Sequence, residues 1–219
     1  IILDGSASMQ TKNGLITRFD KALIVTKKYL SGKVSIILAE DFPLIIVQDE
    51  SIEIAQDLLG KLKPKATGTN IGDAMLLAKE ILKGKHGKVV VLSDFINSAG
   101  PDILATKRVL TSENIDVTFV AISNNAKNIG ITELKIDKNN VQIFVKNYND
   151  NDEKIILRVL QSEKVITRSE QVTVLPKSVE AFVFPTIEGV SKIELENQDD
   201  FELDNYAYIS IPYKKKIKV

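Results

Sequence analysis

Asp4-Gly5-Ser6-Ala7-Ser8 sets one carboxylate and two hydroxyls on alternate residues, directly after the apolar run Ile1-Ile2-Leu3. In an open α/β sheet, ligands collect at the carboxyl ends of the strands. A chain leaving a strand with this spacing can aim three oxygens at one point. That chemistry suits Mg²⁺, which takes a near-octahedral set of hard oxygens at about 2.0–2.1 Å and keeps several waters. Neutral hydroxyls bind such an ion without cancelling its charge. The plainer reading of the same loop is a helix-capping turn. A second segment, Thr67-Gly68-Thr69-Asn70-Ile71-Gly72-Asp73-Ala74, is a glycine-punctuated loop entering a helix. Its glycines allow tight turning and close backbone approach to a ligand. Thr69 is alternatively an N-cap, and Asp73 is read as a carboxylate at the positive helix end. A third, Ser93-Asp94-Phe95, follows the apolar run Val89-Val90-Val91-Leu92, and its plainer reading is an Asp bonding its own backbone in a turn.

These loops need a scaffold, and residues 1–128 supply a βα pattern around a largely parallel sheet. Strands are expected at Ile1–Leu3, Val34–Ala39, Leu44–Val47, Val89–Leu92 and Val117–Ile122, with Asp41-Phe42-Pro43 turning a hairpin between the second and third. Val89–Leu92 is apolar throughout, as a strand covered on both faces requires. Phe19, Leu23, Thr26 and Leu30 mark a first helix, with a Thr17/Asp20 capping box and a stop at Gly32. Ser51 opens a second through Leu59. Gly72–Leu82 forms a third, and Pro101 sits in the first turn of a fourth running to about Leu110.

From about Asn124–Asn128 the texture changes. Short alternating runs take over: Val141/Ile143/Val145, Ile155/Leu157/Val159, Val172/Val174, Val179–Phe184, Lys192–Glu196 and Tyr206–Ile211. Polar turns separate them, so residues 129–219 are expected to form an antiparallel, immunoglobulin- or fibronectin-like β-sandwich of seven or eight strands. Tyr206 and Tyr208 share a strand face and should pack; Asp204-Asn205 reads as the turn before the last strand.

Composition narrows the function. Lys+Arg and Asp+Glu are both 29, so the net charge is zero, against the basic excess of a nucleic-acid binder. With no cysteine, disulfides and thiolate metal sites are excluded. No run of about 18 apolar residues is present to cross a membrane. Ile1 in place of Met and the unfinished alternation of Lys214–Val219 read as the ends of a fragment. Lys214–Lys216 is either a solvated edge or a membrane-proximal basic run, and His86, the one histidine, reads as a surface residue in a polar turn.

Taken together, the three loops resemble the von Willebrand factor type A domain and its metal-ion-dependent adhesion site: D-x-S-x-S, then a distant Thr, then a distant Asp. The resemblance covers about residues 1–125, with Phe95 standing where the family more often has glycine. It implies a Rossmann-like fold and a metal set of Asp4, Ser6, Ser8, Thr69 and Asp94. Ser6 and Ser8 would bind directly, Thr69 directly or through water, and Asp4 and Asp94 through coordinating waters. The cofactor implied is Mg²⁺, with Mn²⁺ or Ca²⁺ as alternatives, and the partner is a protein supplying a Glu or Asp carboxylate. The second half is similar to the β-domain of prokaryotic membrane-anchored proteins of the BatA type, which implies anchoring through segments outside residues 1–219. An enzyme is not expected. A Mg²⁺-dependent phosphatase of the haloacid-dehalogenase layout needs a second Asp two residues after the first, and Ser6 stands there. A serine hydrolase lacks its nucleophile elbow and a placed histidine. A structural module without metal is the remaining alternative.

Overall fold

The computed structural model describes residues 1–219 apart from 66, 124, 125, 198 and 214–219. The Lys214–Lys216 run and Asn124-Asn125 therefore lie outside the described residues. The chain divides into two compact units, Ile1–Asn125 and Ala126–Val219.

In the first unit β1 (Ile2–Asp4), β4 (Val34–Ala39), β5 (Leu44–Glu50), β6 (Lys88–Ser93) and β7 (Asp116–Ala121) form one sheet in the order β5-β4-β1-β6-β7. All pairings are parallel except the β4–β5 hairpin. A short hairpin of β2 (Lys12–Asn13) and β3 (Ile16–Thr17) stands apart. Successive residues of the buried strands point to opposite faces. Leu3, Ile36, Leu38, Val90 and Leu92 pack under α1 (Arg18–Thr26) and α2 (Ile52–Leu59), through Phe19, Ala22, Ala55 and Leu59. Ile2, Ile37, Val89 and Val91 pack under α3 (Ile71–Leu82) and α4 (Ile103–Ser112), through Ile71, Ala74, Met75 and Leu110. An uninterrupted apolar run such as Val89–Leu92 thus feeds two cores at once.

Local chemistry sets the helix ends. Thr17 and Asp20 form the expected capping box: Asp20 N–H donates to Thr17 Oγ1 at 3.0 Å and Thr17 N–H to Asp20 Oδ2 at 2.8 Å. The α-helix ends at Thr26, whose hydroxyl bonds back to Ala22 O at 2.8 Å, and tightens into a 3₁₀ turn, Lys27–Tyr29. It does not run to Leu30, because the β-branched pair Val25-Thr26 and this back-bond weaken continuation. α3 starts at Ile71 and its cap is Asn70, not Thr69: Asp73 N–H donates to Asn70 Oδ1 at 3.0 Å, and Asn70 Nδ2 to Asp73 Oδ2 at 2.7 Å. Asp73 is thereby engaged by its own helix cap. Pro101 precedes the α4 cap, Asp102, whose Oδ1 accepts Ala105 N–H at 2.7 Å.

The second unit is a pair of antiparallel sheets. β8 (Ile129–Ile136), β9 (Asn140–Asn147) and β14 (Val179–Pro185) form the sheet β14-β9-β8. Facing it are β11 (Leu157–Gln161), β12 (Lys164–Arg168), β15 (Gly189–Leu195) and β16 (Tyr206–Ile211), ordered β12-β11-β15-β16. A small pair, β10 (Glu153–Ile155) with β13 (Val172–Val174), completes it. Ile143, Val145 and Phe182 of one sheet share a core with Leu157, Ile193 and Ile209 of the other, which makes a β-sandwich. Tyr206 and Tyr208 pack edge-on with centroids 5.9 Å apart, on the exposed side.

The Asp204-Asn205 turn is tied inward. Asn128 Nδ2 donates to Asp204 Oδ2 at 3.0 Å and Asn205 Nδ2 to Asp199 Oδ1 at 2.9 Å. Gly130 leaves the room that the Asp204 carboxylate fills, since a Cβ there would collide with it. Burial pushes the Asp204 carboxyl up to about 6, against the Asn128 bond and with the charge of Asp199 adding to the rise.

Two outcomes follow from this packing. Phe19→Ala, at a side chain only 1% exposed, should lose about 3–5 kcal/mol in denaturant unfolding. Leu15→Ala, at the exposed tip of the β2–β3 hairpin, should lose under about 0.5 kcal/mol. An unfolded aspartate releases its proton near pH 3.9, and folded Asp204 releases it near 6. The folded state therefore holds the extra proton between these values, and the Asp204 contribution to stability falls as pH rises through about 6. Thermal melts at about pH 4.5 and about pH 7 should show wild type losing ground to Asp204→Asn at the higher pH.

Candidate metal centre

Strand order reverses at β1: the chain moves from β1 to β4 on one side, then crosses to β6 on the other. The crevice beside β1 at the carboxyl ends is the ligand position of such a sheet. Asp4 ends β1, Ser93-Asp94 follow the apolar run of β6, and Thr69 closes the loop entering α3.

Asp4 is fully buried. Its Oδ1 accepts Ser6 N–H at 2.9 Å and its Oδ2 accepts the Ser93 hydroxyl at 2.5 Å, fastening the β1 loop to β6. Ser6 and Ser8 hydroxyl oxygens lie 3.1 Å apart. Ser6 stands at the start of the 3₁₀ turn Ala7–Gln10, yet its side chain makes no capping bond. That hydroxyl bonds instead to its neighbours, the Ser8 hydroxyl and the Asp4 carboxylate. Backbone bonds from Gly5 N to Ala39 O (2.9 Å), Lys65 N to Gly5 O (2.8 Å) and Ala7 N to Thr67 O (2.9 Å) cross-tie this loop to its neighbours.

Thr69 is also fully buried. Its N–H donates to Ser98 Oγ at 2.7 Å, and its hydroxyl lies 3.4 Å from the carbonyl of Ala39, the register partner of Asp4. With Asn70 serving as the helix cap, the Thr69 hydroxyl is spared that duty. Gly68 is needed where it is: a Cβ would strike Asp41 Oδ1 and Ser98 Oγ.

Asp94 accepts Ile96 N–H on Oδ1 at 3.1 Å and the Arg18 guanidinium on Oδ2 at 2.7 Å. The turn bond to Ile96 is the one its plainer reading expected. Phe95 has φ +60°, the left-handed region where glycine is at ease and a bulky residue is strained. That conformation gives a physical reason for the glycine more often found there. Its ring packs against Phe119 with centroids 5.3 Å apart.

Burial raises the Asp4 carboxyl above its ordinary range; hydrogen bonds from Ser6 and Ser93 oppose this, and the Asp94 charge adds to it. The two carboxylates thus feel each other. Among the described residues no group of three or more His, Cys, Asp or Glu gathers to hold a metal. An ion here would have to lean on hydroxyls. The hydroxyl spacing fits: two ligands at right angles on Mg²⁺, with bonds of about 2.1 Å, lie about 3.0 Å apart, close to the Ser6–Ser8 separation of 3.1 Å. Sequence reasoning missed Arg18, Ser93 and Ser98. Only Ser93 carried a signal, by standing beside Asp94 at a strand end.

Residues 1–97 match the von Willebrand factor type A domain. The mixed sheet and flanking helices of the first unit are those of a type A fold. Residues 129–208 match the model of a domain of unknown function, DUF7407. No curated protein matches the chain. Among solved structures, the chain is similar to proximal thread matrix protein 1 of the mussel byssus, at 16% identity and TM-score 0.46, over 54% of this chain and 38% of that one. It thus spans well under half of the byssus protein's length. It is similar to the manganese-loaded TRAP protein of Plasmodium vivax, at 10% identity and TM-score 0.44, over 67% of this chain and 85% of that one. It is also similar to a Pyrococcus furiosus CARDB domain in complex with di-metal ions, at 18% identity and TM-score 0.31, over 42% and 99%. Among the described residues no helix is long and apolar enough to cross a membrane.

Ser93→Ala removes the donor to Asp4 Oδ2 inside the first unit. It should cost about 1–3 kcal/mol, the range for a buried acceptor left without its partner, read from the urea midpoint of the metal-free protein.

Proposed function

We propose that residues 1–125 form a metal-dependent protein-interaction module that grips an acidic residue of a partner protein. The observation that carries this reading is the pair of adjacent hydroxyls, Ser6 and Ser8, 3.1 Å apart in the loop that follows the buried Asp4. When bound, a divalent ion, Mg²⁺ in this reading, would supply a positive centre for an incoming carboxylate. Ser6 and Ser8 would hold it directly, and Thr69 directly or through water. Asp4 and Asp94 would orient coordinating waters and balance charge. Because both carboxylates already accept protein hydrogen bonds, they are fixed before the ion arrives. The type A match over residues 1–97 supports an interaction module. The same residues argue against phosphoryl transfer: Ser6 occupies the position where such an enzyme needs its acid/base carboxylate.

The test is metal binding by calorimetry, with thermal melting alongside. An ion bound only by the folded state raises the melting temperature with concentration, by mass action. Millimolar Mg²⁺ or Mn²⁺ should stabilise wild type, and EDTA should reverse this. Asp4→Ala and Asp94→Ala should abolish the metal response while circular dichroism stays native. Absence of heat and of any shift for wild type would end the metal reading.

A further inference from the structure

We propose that the corner of the second unit where Asn128 meets Asp199, Asp204 and Asn205 is a calcium site. Three side-chain oxygens there, Asn128 Oδ1, Asp204 Oδ1 and Asn205 Oδ1, are shut away from solvent and accept no hydrogen bond. An acceptor left alone in a dry interior is costly and calls for a partner. The residues belong to one knot. Asn128 Nδ2 donates to Asp204 Oδ2 at 3.0 Å, and Asn205 Nδ2 to Asp199 Oδ1 at 2.9 Å. Asp199 Oδ2 accepts the N–H of Ile129, next to Asn128, at 2.9 Å. Each amide thus turns its nitrogen to a carboxylate, and its oxygen is left for something else. Asn205 is only 7% exposed, so bulk water does not reach it.

Three acceptors without a donor suit a cation. One enclosed water brings two O–H donors and leaves an oxygen bare. The charges that reach Asp199 and Asp204 from the chain are acidic, those of Asp200 and Asp199. Glu202, on the same 3₁₀ turn as Asp204, is one more acid. Cations in the neighbourhood are engaged elsewhere. Arg158 and Lys192, which share a basin with Asp199 and Asn205, pair with Glu194 at 2.8 and 3.1 Å. Lys146 stands 4.8 Å over the Tyr148 ring, and Lys177 pairs with Asp150 at 2.9 Å. Two carboxylates match one divalent ion. Ca²⁺ takes about 6–8 oxygens from carboxylates, amide carbonyls and waters in loose geometry, whereas Mg²⁺ demands a strict octahedron. Asp204, Asn128 and Asn205 would bind it, and Asp199 would hold the Asn205 amide in place and balance the second charge. Gly130 belongs to the design, since a Cβ there would take the room of the Asp204 carboxylate. The site is independent of the metal centre proposed for the first unit, because all these residues lie in the second.

The experiment is a Ca²⁺ titration of the EDTA-dialysed chain, residues 1–219, followed by amide NMR so that each unit is scored separately. In wild type the amides of Asn128, Gly130, Asp204 and Asn205 should shift together and saturate, with a Kd of about 0.1–1 mM, the range of extracellular calcium modules. Asp204→Asn keeps the size and the bond from Asn128 but removes a charge. It should weaken binding about tenfold or more, since affinity follows ligand charge. Asn128→Ala removes one ligand oxygen and should weaken it too. Silence of these amides at about 20 mM Ca²⁺, well above that range, would show that enclosed waters satisfy the oxygens, and overturns the inference. Shifts that survive both variants place the ion elsewhere and overturn it as well. Shifts confined to residues 4–8 and 93–95 would support the metal reading of the first unit and overturn this one. If Asp204→Asn does not fold, Asn128→Ala decides. If neither folds, the wild-type amides decide alone, by saturating or staying silent.

Discussion

Two aspartates buried within reach of each other's charge are the constraint around which the first unit is arranged. Like charges in a dry crevice destabilise a fold unless something compensates each of them. The first unit solves the two cases differently. Asp4 is compensated by neutral donors, Ser6 N–H and Ser93 Oγ. Asp94 is compensated by a full cation, Arg18. Burial still leaves the Asp4 carboxyl above its ordinary range, and these bonds tie the β1 loop, the end of β6 and the start of α1 together.

The sheet order makes this arrangement available. β1 is only three residues long, yet both of its neighbours are parallel to it and all three of its residues are buried. Its end is level with theirs: Asp4 pairs with Ala39, the last residue of β4, and Leu3 with Leu92, one before the end of β6, so the three strands open together on one crevice. Opposite-facing apolar residues on those strands then pin α1 on one side and α3 on the other. The helix that brings Arg18 and the helix entered past Thr69 therefore approach the crevice from opposite faces of the sheet.

Much of this was legible in the residues. The apolar runs gave the central strands because burial on both faces admits few alternatives at Val89–Leu92. The Thr17/Asp20 box was readable because capping chemistry is local. What escaped was whatever depended on partners distant in sequence. Arg18 and Asp94 are 76 residues apart, and Ser93 and Asp4 are 89 apart; no spacing rule reaches so far. Asn70 displaced Thr69 as the cap because its amide can bond both the backbone and the side chain of Asp73. In the sandwich, β8 and β12 were not named as strands. A register shift between Ile131 and Glu133 breaks the alternation of β8, and β12 is an edge strand with Val165 and Ile166 half exposed.

Phe95 carries a consequence for how freely the segment after Asp94 can move. A phenylalanine held at φ +60° stores strain of about 1–3 kcal/mol, and its ring stays docked on Phe119 of β7. A glycine at that position would let the segment after Asp94 trade between several backbone arrangements at little cost. Here the backbone has one handedness and an aromatic anchor to keep it. The Asp94 loop is thereby built less like a hinge than like a fixed jaw, its opening set by one backbone handedness and one ring contact.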